Sequence, residues 1–460
     1  MDRASVQGEK LLCQSSELHS HIELYHKQPS TQYSGTNAWN LNNNGNMNNN
    51  NKYNRMYAVP LAESNGRDAD IGGYIVPIGE IYDAYYECLK NKARTLNAML
   101  FTLNLEQNIR KLWQEINGRN YEIGKSIAFI VEHPVKREVF AANFRDRIVH
   151  VWICQRLIPL IEEYLPDSMA SNRVGKGTLY AINKLFNLIK EKSNGYTEDC
   201  WIWKFDLQGF FMSIDKRLLN KKVQHFIDER YNAPDKFILK WLAEKVIMHC
   251  PQLNCIRKSK PCAWVGLRKD KSLFTQDKYH GMPIGNLPSQ ILANFLLSDM
   301  IFFMRQNGFS SIQYVDDNAT VDNSKERILA FIPILRKWLW EELGITLHPR
   351  KCYIQHYTKG VAFVGGIVKP YRVYISKRSY RKALGKTHWL VITKAELPEV
   401  IKSVNSYLGL TRHFSAFKLR EKIAGLLFPE YGEAISFSNN YDKLIINKKW
   451  QQIQVNTVKM

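Results

Sequence analysis

Two adjacent carboxylates, Asp316 and Asp317, stand between two apolar runs at 311–315 and 319–321. The pattern predicts a strand–turn–strand whose tip presents both acids, since Asp tolerates turn dihedrals. Like charges side by side repel unless a cation lies between or beside them. A divalent ion is the common resolution, and Mg²⁺ shared between carboxylates and phosphates is the common occupant. A lone Asp-Asp is ordinarily a solvated acidic turn. A third acid changes that reading: Asp206 ends another strand-like run, Trp201-Ile202-Trp203-Lys204-Phe205-Asp206. Two buried strands that each deliver carboxylate at their ends form the donor set that two-metal phosphoryl transfer requires.

Other elements must hold these acids in place. Leu105, Ile109, Leu112, Trp113 and Ile116 recur at helical spacing, and Asn117-Gly118 is a stop signal. A strand is predicted at 127–131. Between Lys136 and His150, the charges of Lys136, Arg137, Arg145, Asp146 and Arg147 alternate with apolar residues that must face a core. Ser171-Asn172-Arg173-Val174-Gly175-Lys176-Gly177-Thr178 reads as a glycine-rich basic loop opening a helix. Glycines admit close approach of backbone N–H groups to phosphate, and a helix N-terminus favours anions. The G-x-x-x-x-G-K-[ST] spacing of a P-loop is absent; an ordinary surface turn is the alternative. Gly281 to Gln290 precedes an apolar helix containing 291–297.

The chain of 460 residues carries 64 Lys+Arg against 43 Asp+Glu, a formal charge of +21. Such a field attracts polyanions and gives salt-sensitive binding. No uninterrupted apolar run approaches the roughly 18–20 residues that span a bilayer, and Met1-Asp2-Arg3-Ala4-Ser5 leads into no signal-peptide core. The expectation is a soluble, cytoplasmic, multi-domain protein with no membrane partner. Eight scattered cysteines suit a reducing compartment. His249, Cys250, Cys255 and Cys262 lack the tight C-x₂-C spacing of a zinc site, so loop cysteines are the default.

Tyr-Val-Asp-Asp, preceded by Asp206 with Phe211 five residues on, resembles motifs C and A of a reverse transcriptase palm. Further motifs follow in the family's order over residues 70 to 445. The resemblance implies an α+β right hand of fingers, palm and thumb, with a helical N-terminal extension. It divides as 1–66 low-complexity, 67–195 N-terminal helices and fingers, 196–370 palm, 371–445 thumb and 446–460 tail. By that likeness Asp206, Asp316 and Asp317 hold two Mg²⁺ ions, with Mn²⁺ as a substitute. Lys351, in Leu347-His348-Pro349-Arg350-Lys351-Cys352, is the proton donor to pyrophosphate. Phe211 is the steric gate against a ribonucleotide 2′-OH, with core packing as its alternative. Arg173 contacts the incoming triphosphate. Lys136, Arg137, Arg145 and Arg147 hold template backbone. Gly365 and Gly366, in Phe363-Val364-Gly365-Gly366-Ile367, form the primer grip, where glycines permit close approach. The stretch around Ser403–Gly409 and His413-Phe414 resembles the thumb.

Most reverse transcriptases carry Gln-Gly-x-x-x-Ser-Pro ahead of the palm helix. Here Ile284 stands where that Gln would be, and Gln290 where that Pro would be. Ile284-Gly285-Asn286-Leu287-Pro288-Ser289-Gln290 resembles the hallmark of diversity-generating retroelement reverse transcriptases, bacterial or phage enzymes of the retron and group II-like superfamily. Ile284, Gly285 and Gln290 are thereby nucleotide-pocket residues, and the insert from Asn254 to Phe274 resembles theirs too. Replacing an amide by an aliphatic chain removes a polar constraint on the nascent pair, and discrimination by shape alone is weaker. Eleven of the eighteen residues from Asn37 to Asn54 are Asn. Such a segment is disordered by composition. It also resembles the variable tails of retroelement target proteins, which implies translated template-like sequence or a start codon assigned too early. The two readings stay open.

The implied function is RNA-directed DNA polymerase, error-prone at template adenines, copying a template RNA into mutagenised cDNA. Its partners would be template RNA, a DNA primer, dNTPs and a small basic helical accessory variability protein. Alternatives are a defence-associated, abortive-infection-like enzyme and a group II intron-like enzyme. A non-enzymatic RNA-binding scaffold is disfavoured because it has no reason to keep mutually repelling acids.

Overall fold

The computed structural model describes residues 73–447 apart from Asn91 and Pro134; the Asn-rich segment, Cys13 and the tail beyond 447 lie outside the described residues. Strands are β1 Ser126–Val131, β2 Arg137–Ala141, β3 Trp201–Leu207, β4 Cys255–Arg257, β5 Ser310–Tyr314, β6 Asp317–Asp322, β7 Leu347–His356, β8 Val361–Phe363, β9 Gly366–Lys369, β10 Arg372–Ile375, β11 Ile435–Phe437 and β12 Leu444–Ile446. Helices outnumber strands in length, and most strand pairs are antiparallel, as an α+β chain requires. Two units interleave along the sequence. One takes the chain up to Glu163 with Phe211–Ala293, the other Tyr164–Phe210 with Asn294 onward. The segment 164–210 runs across the boundary placed at residue 195.

In the first unit the helix Leu105–Asn117 buries Ile109, Leu112 and Ile116, the stripe its periodicity foretells, and stops where Gly118 N–H bonds the Gln114 carbonyl at 2.7 Å. β1 pairs antiparallel with β2 and parallel with β4. The insert around β4 is fastened through Glu138 of β2, whose buried carboxylate accepts from Trp264 Nε1 (2.6 Å), Ser272 Oγ (2.7 Å) and Leu273 N–H (2.5 Å). Three donors on one carboxylate offset much of the cost of burying it.

In the second unit the sheet order is β5-β6-β3-β7. Alternation puts Ile202, Ile312, Ala319 and Val321 on one face, against Ala181, Ile182 and Leu185 of the helix Thr178–Lys192. The opposite face meets the helix Lys325–Leu343, where Phe331 rings pack on Trp203 and Phe309. A β10-β9-β8 sheet follows. Helices Lys377–Ile392, Leu397–Thr411 and Phe417–Tyr431 then close with β11 and β12 around Leu390, Val404, Leu408, Ile423 and Leu427.

The helix Leu287–Gln306 follows the Ile284 loop. It is long and apolar enough to cross a bilayer, the one such helix among the described residues, but most of it is buried in protein. Pro288, Ser289 and Asn294 break its apolar runs in the sequence, which is why a search for an uninterrupted stretch passes over it.

Candidate active site

The hairpin and the acid-ended strand meet as the sequence foretells. Asp206 of β3 lies directly opposite Asp317 of β6, and Tyr314 opposite Asp317 leaves Val315-Asp316 as a two-residue tip. Like charges directly opposite on a sheet are destabilising, and two lysines offset them. Lys204, two residues before Asp206 on β3, places Nζ 3.1 Å from Asp317 Oδ1. Lys351 Nζ donates to Asp206 Oδ2. It reaches because the β3–β7 register slips: Phe205 faces Cys352 but Leu207 faces Leu347, so 348–351 bow out beside Asp206. Among the described residues no lysine pairs with Asp316. Burial first, then the charges of Asp206 and Asp317, push its carboxyl up to about 6.

That arrangement fits a divalent cation. Asp206 and Asp316 are hard oxygen donors, and Asp316 in its ionised form lacks a counter-charge, which an ion would supply. Among the described residues no three His, Cys, Asp or Glu side chains close around one point. Asp317, expected as a third donor, is paired with Lys204 as Asp206 is with Lys351.

Several basic residues expected to meet nucleotide or template have protein partners. Arg173 is 7% exposed, and its guanidinium donates to the carbonyls of Pro166 (2.7 Å) and Met169 (3.1 Å). It staples the loop that runs beside β5, where Gln313 N–H bonds the Ser168 carbonyl (2.9 Å) and Ala170 N–H the Gln313 carbonyl (3.0 Å). A buried guanidinium must satisfy its donors locally, and Arg173 does so on the carbonyls of its own loop. Arg145 likewise pairs with Glu115, lies over the Tyr121 ring at 4.8 Å and donates to the Glu122 carbonyl at 2.9 Å. Arg147 donates to the Ala142 carbonyl at 2.9 Å. These two arginines, both half-buried, secure the start of the helix Phe144–Tyr164. Lys136 donates to the Val265 carbonyl at 2.8 Å, and Arg137 is exposed at the start of β2.

Gly365 and Gly366 divide in role. Gly365, at φ +98° in the β8–β9 turn, has nothing within 4 Å of a notional Cβ, whereas a Cβ on Gly366 would meet Ile182 Cδ1 at 2.8 Å. Only Gly365 leaves room for an approaching chain; Gly366 is glycine for packing.

Phe211 and Ile284 do come together. Both pack against Ala128, Phe140, Met212 and Leu273. The loop is fastened to β2: Phe140 N–H donates to the Ile284 carbonyl (2.9 Å) and Ala142 N–H to Asn286 Oδ1 (3.1 Å). Gly285 passes so close, at φ +115°, that a Cβ would meet Val139 Cγ1 at 2.7 Å. Gln290 sits partly exposed in the first turn of the following helix. Cys250 Sγ is bonded by Lys216 Nζ at 3.2 Å, and Cys250, Cys255 and Cys262 are all free thiols.

Lys204, Glu138, Gln313 and Asn318 escaped the sequence reading. An i−2 lysine on the strand that carries an acid was the signal available for Lys204; nothing in the sequence marks the partners of the others.

No match is found among the curated proteins. Solved structures with some likeness are telomerase from Candida albicans in complex with a TWJ fragment of telomeric RNA and apo telomerase from Candida tropicalis truncated from its C-terminal domain. The first shares 12% identity at a TM-score of 0.40, covering 73% of this chain and 63% of that one. The second shares 13% at 0.39, covering 54% and 55%. The chain thus spans less than two thirds of the length of either. The family model for reverse transcriptase (RNA-dependent DNA polymerase) matches residues 136–368, a stretch of more than half the chain that contains both acid-bearing strands, the hairpin tip and the Ile284 loop. The chain therefore belongs to the reverse transcriptase family.

Proposed function

We propose that this reverse transcriptase extends a DNA primer on a template RNA and misincorporates opposite template adenine, as the polymerase of a diversity-generating retroelement. The observation that carries the reading is Ile284. Its side chain joins an apolar cluster with Phe211, and its backbone is pinned to β2. An aliphatic wall at this position offers shape but no hydrogen bond, and discrimination by shape is the weaker kind.

Extension joins the primer 3′-oxygen to the α-phosphorus of a dNTP and releases pyrophosphate. Asp206 and Asp316 would hold two Mg²⁺ ions, which when bound supply charge neutralisation for this phosphoryl transfer. Lys351, its side chain 58% exposed against Asp206, would donate a proton to the leaving pyrophosphate. Phe211 presents bulk to the sugar. Template RNA, primer, dNTPs and a small basic helical accessory protein are the partners of this reading, in a bacterial cytoplasm.

Sequencing cDNA copied from a defined RNA tests it. Errors should concentrate at template adenines, and Ile284→Gln should reduce them about two- to tenfold, the worth of one hydrogen bond. Equal error rates at all four bases would overturn the mutagenic reading and favour a defence-type enzyme.

A further inference from the structure

We propose that Gln313 and Asn318 are positioning residues whose side-chain amides clamp the peptide groups on both sides of Asp316. The proposal rests on the reading of Asp316 as an ion-holding carboxylate. Gln313 and Asn318 lie directly opposite each other across the β5–β6 hairpin. Both are fully buried. Gln313 Nε2 donates to the Val315 carbonyl at 2.9 Å, and Asn318 Nδ2 donates to the Asp316 carbonyl at 3.1 Å. These carbonyls belong to the peptides that precede and follow Asp316. A third hold comes from Ser171, whose Oγ accepts from Val315 N–H at 3.1 Å and donates to Asn294 Oδ1 at 2.8 Å.

The tip requires such holds. Val315 sits at φ +57°, in the first position of a two-residue hairpin turn, where a primed turn ordinarily takes glycine. A β-branched residue there is strained and persists only when its surroundings over-determine it. The carboxylate of Asp316 is carried on that strained peptide, so its aim depends on the clamp.

The other ends of the two amides point to a positioning role. Gln313 Oε1 and Asn318 Oδ1 are buried without a hydrogen-bond partner, as are Ser311 Oγ and Thr320 Oγ1 of the neighbouring cross-strand pair. Buried orphan acceptors oppose folding. An apolar side chain of the same shape would serve stability as well or better. The amides are therefore explained by what their N–H groups hold.

The test uses the full chain with Gln313→Met and Asn318→Leu, each close in shape and without a donor. Free Mn²⁺ measured by electron paramagnetic resonance gives ion affinity, primer extension gives kcat and dNTP KM, and thermal melting gives stability. The clamp predicts Mn²⁺ affinity and kcat each lowered about tenfold, the usual effect of removing a hydrogen-bonding partner behind a ligating group. dNTP KM should move less than about twofold on the same grounds, and Tm should be unchanged or raised. Unchanged affinity and kcat would overturn the clamp, as would a loss of activity matched by loss of folded protein. If either variant fails to fold, Ser171→Ala must shift affinity and kcat in the same direction, or the proposal falls. Asp316→Asn separates the two levels. If it keeps ion binding and turnover, the carboxylate reading fails and the clamp with it. If it is inactive while Gln313→Met and Asn318→Leu behave as wild type, the clamp alone fails.

Discussion

Among the described residues Asp206 is answered by one lysine, Asp317 by another, and Asp316 by none. Three carboxylates crowded on one sheet edge would repel one another apart, so the two lysines let the edge form, and the unneutralised third acid marks where further positive charge is wanted. On the proposed reading of Asp206 as an ion-holding acid, Asp206→Asn removes that oxygen and the partner of Lys351 together. Primer extension should fall at least about a thousandfold, roughly 4 kcal/mol of activation free energy. The melting temperature should hold, because one member of a like-charged pair is lost along with the ion pair. Near-normal extension by purified Asp206→Asn protein would remove this strand end from the catalytic site.

At the scale of elements, the loop 284–286 and β2 act as one piece. One backbone hydrogen bond, one to the Asn286 side chain and the close pass of Gly285 over Val139 set where Ile284 and the following helix begin. Gly285→Ala introduces a Cβ 2.7 Å from Val139 Cγ1 at a φ of +115°. The loop must lift from β2, at a cost of about 1–3 kcal/mol by analogy with other strained backbone positions. A lowered urea midpoint with a changed misincorporation spectrum is expected. A variant as stable and as accurate as the parent would show that the loop is not fixed by this contact.

Across the whole molecule, acid sensitivity should come from buried imidazoles as well as from carboxylates. Burial, then the neighbouring Arg147 and His249, lowers His150 from 6.5 to about 3. Burial, then Lys216, lowers His249 to about 4. Both are neutral in the fold and bind protons more readily when unfolded. Their contribution is complete above about pH 6.5 and is lost as pH falls toward 4 and 3, since the unfolded state takes up protons first. Each would add up to about 1.4 kcal/mol of lost stability per pH unit in that window. Urea midpoints at pH 7.5 and 5.5 measure this, and His150→Leu should flatten the slope by up to one proton's worth. An unchanged slope would mean that His150 is not titrating on unfolding.

The hairpin around Asp316-Asp317, the acid-ended strand of Asp206 and the helix over 105–117 were legible in the sequence because each is a local pattern. Period-two and period-3.6 burial, a turn-tolerant acid pair and a glycine stop act within a few residues. The likeness of ordered motifs then supplied the family, and the match over 136–368 agrees with it. What individual charges do was decided only by tertiary structure. Arg173 and Arg145 are basic residues in the expected places, yet one caps carbonyls of its own loop and the other pairs with Glu115, thirty positions away in the sequence. Gly366 looks like a partner of Gly365 and is instead set by Ile182. Gln313 and Asn318 read as ordinary polar residues in a strand until the pairing register sets them face to face beneath Asp316. Long flexible side chains have many possible partners, and which one is near depends on contacts between distant segments; backbone periodicity carries no record of that choice.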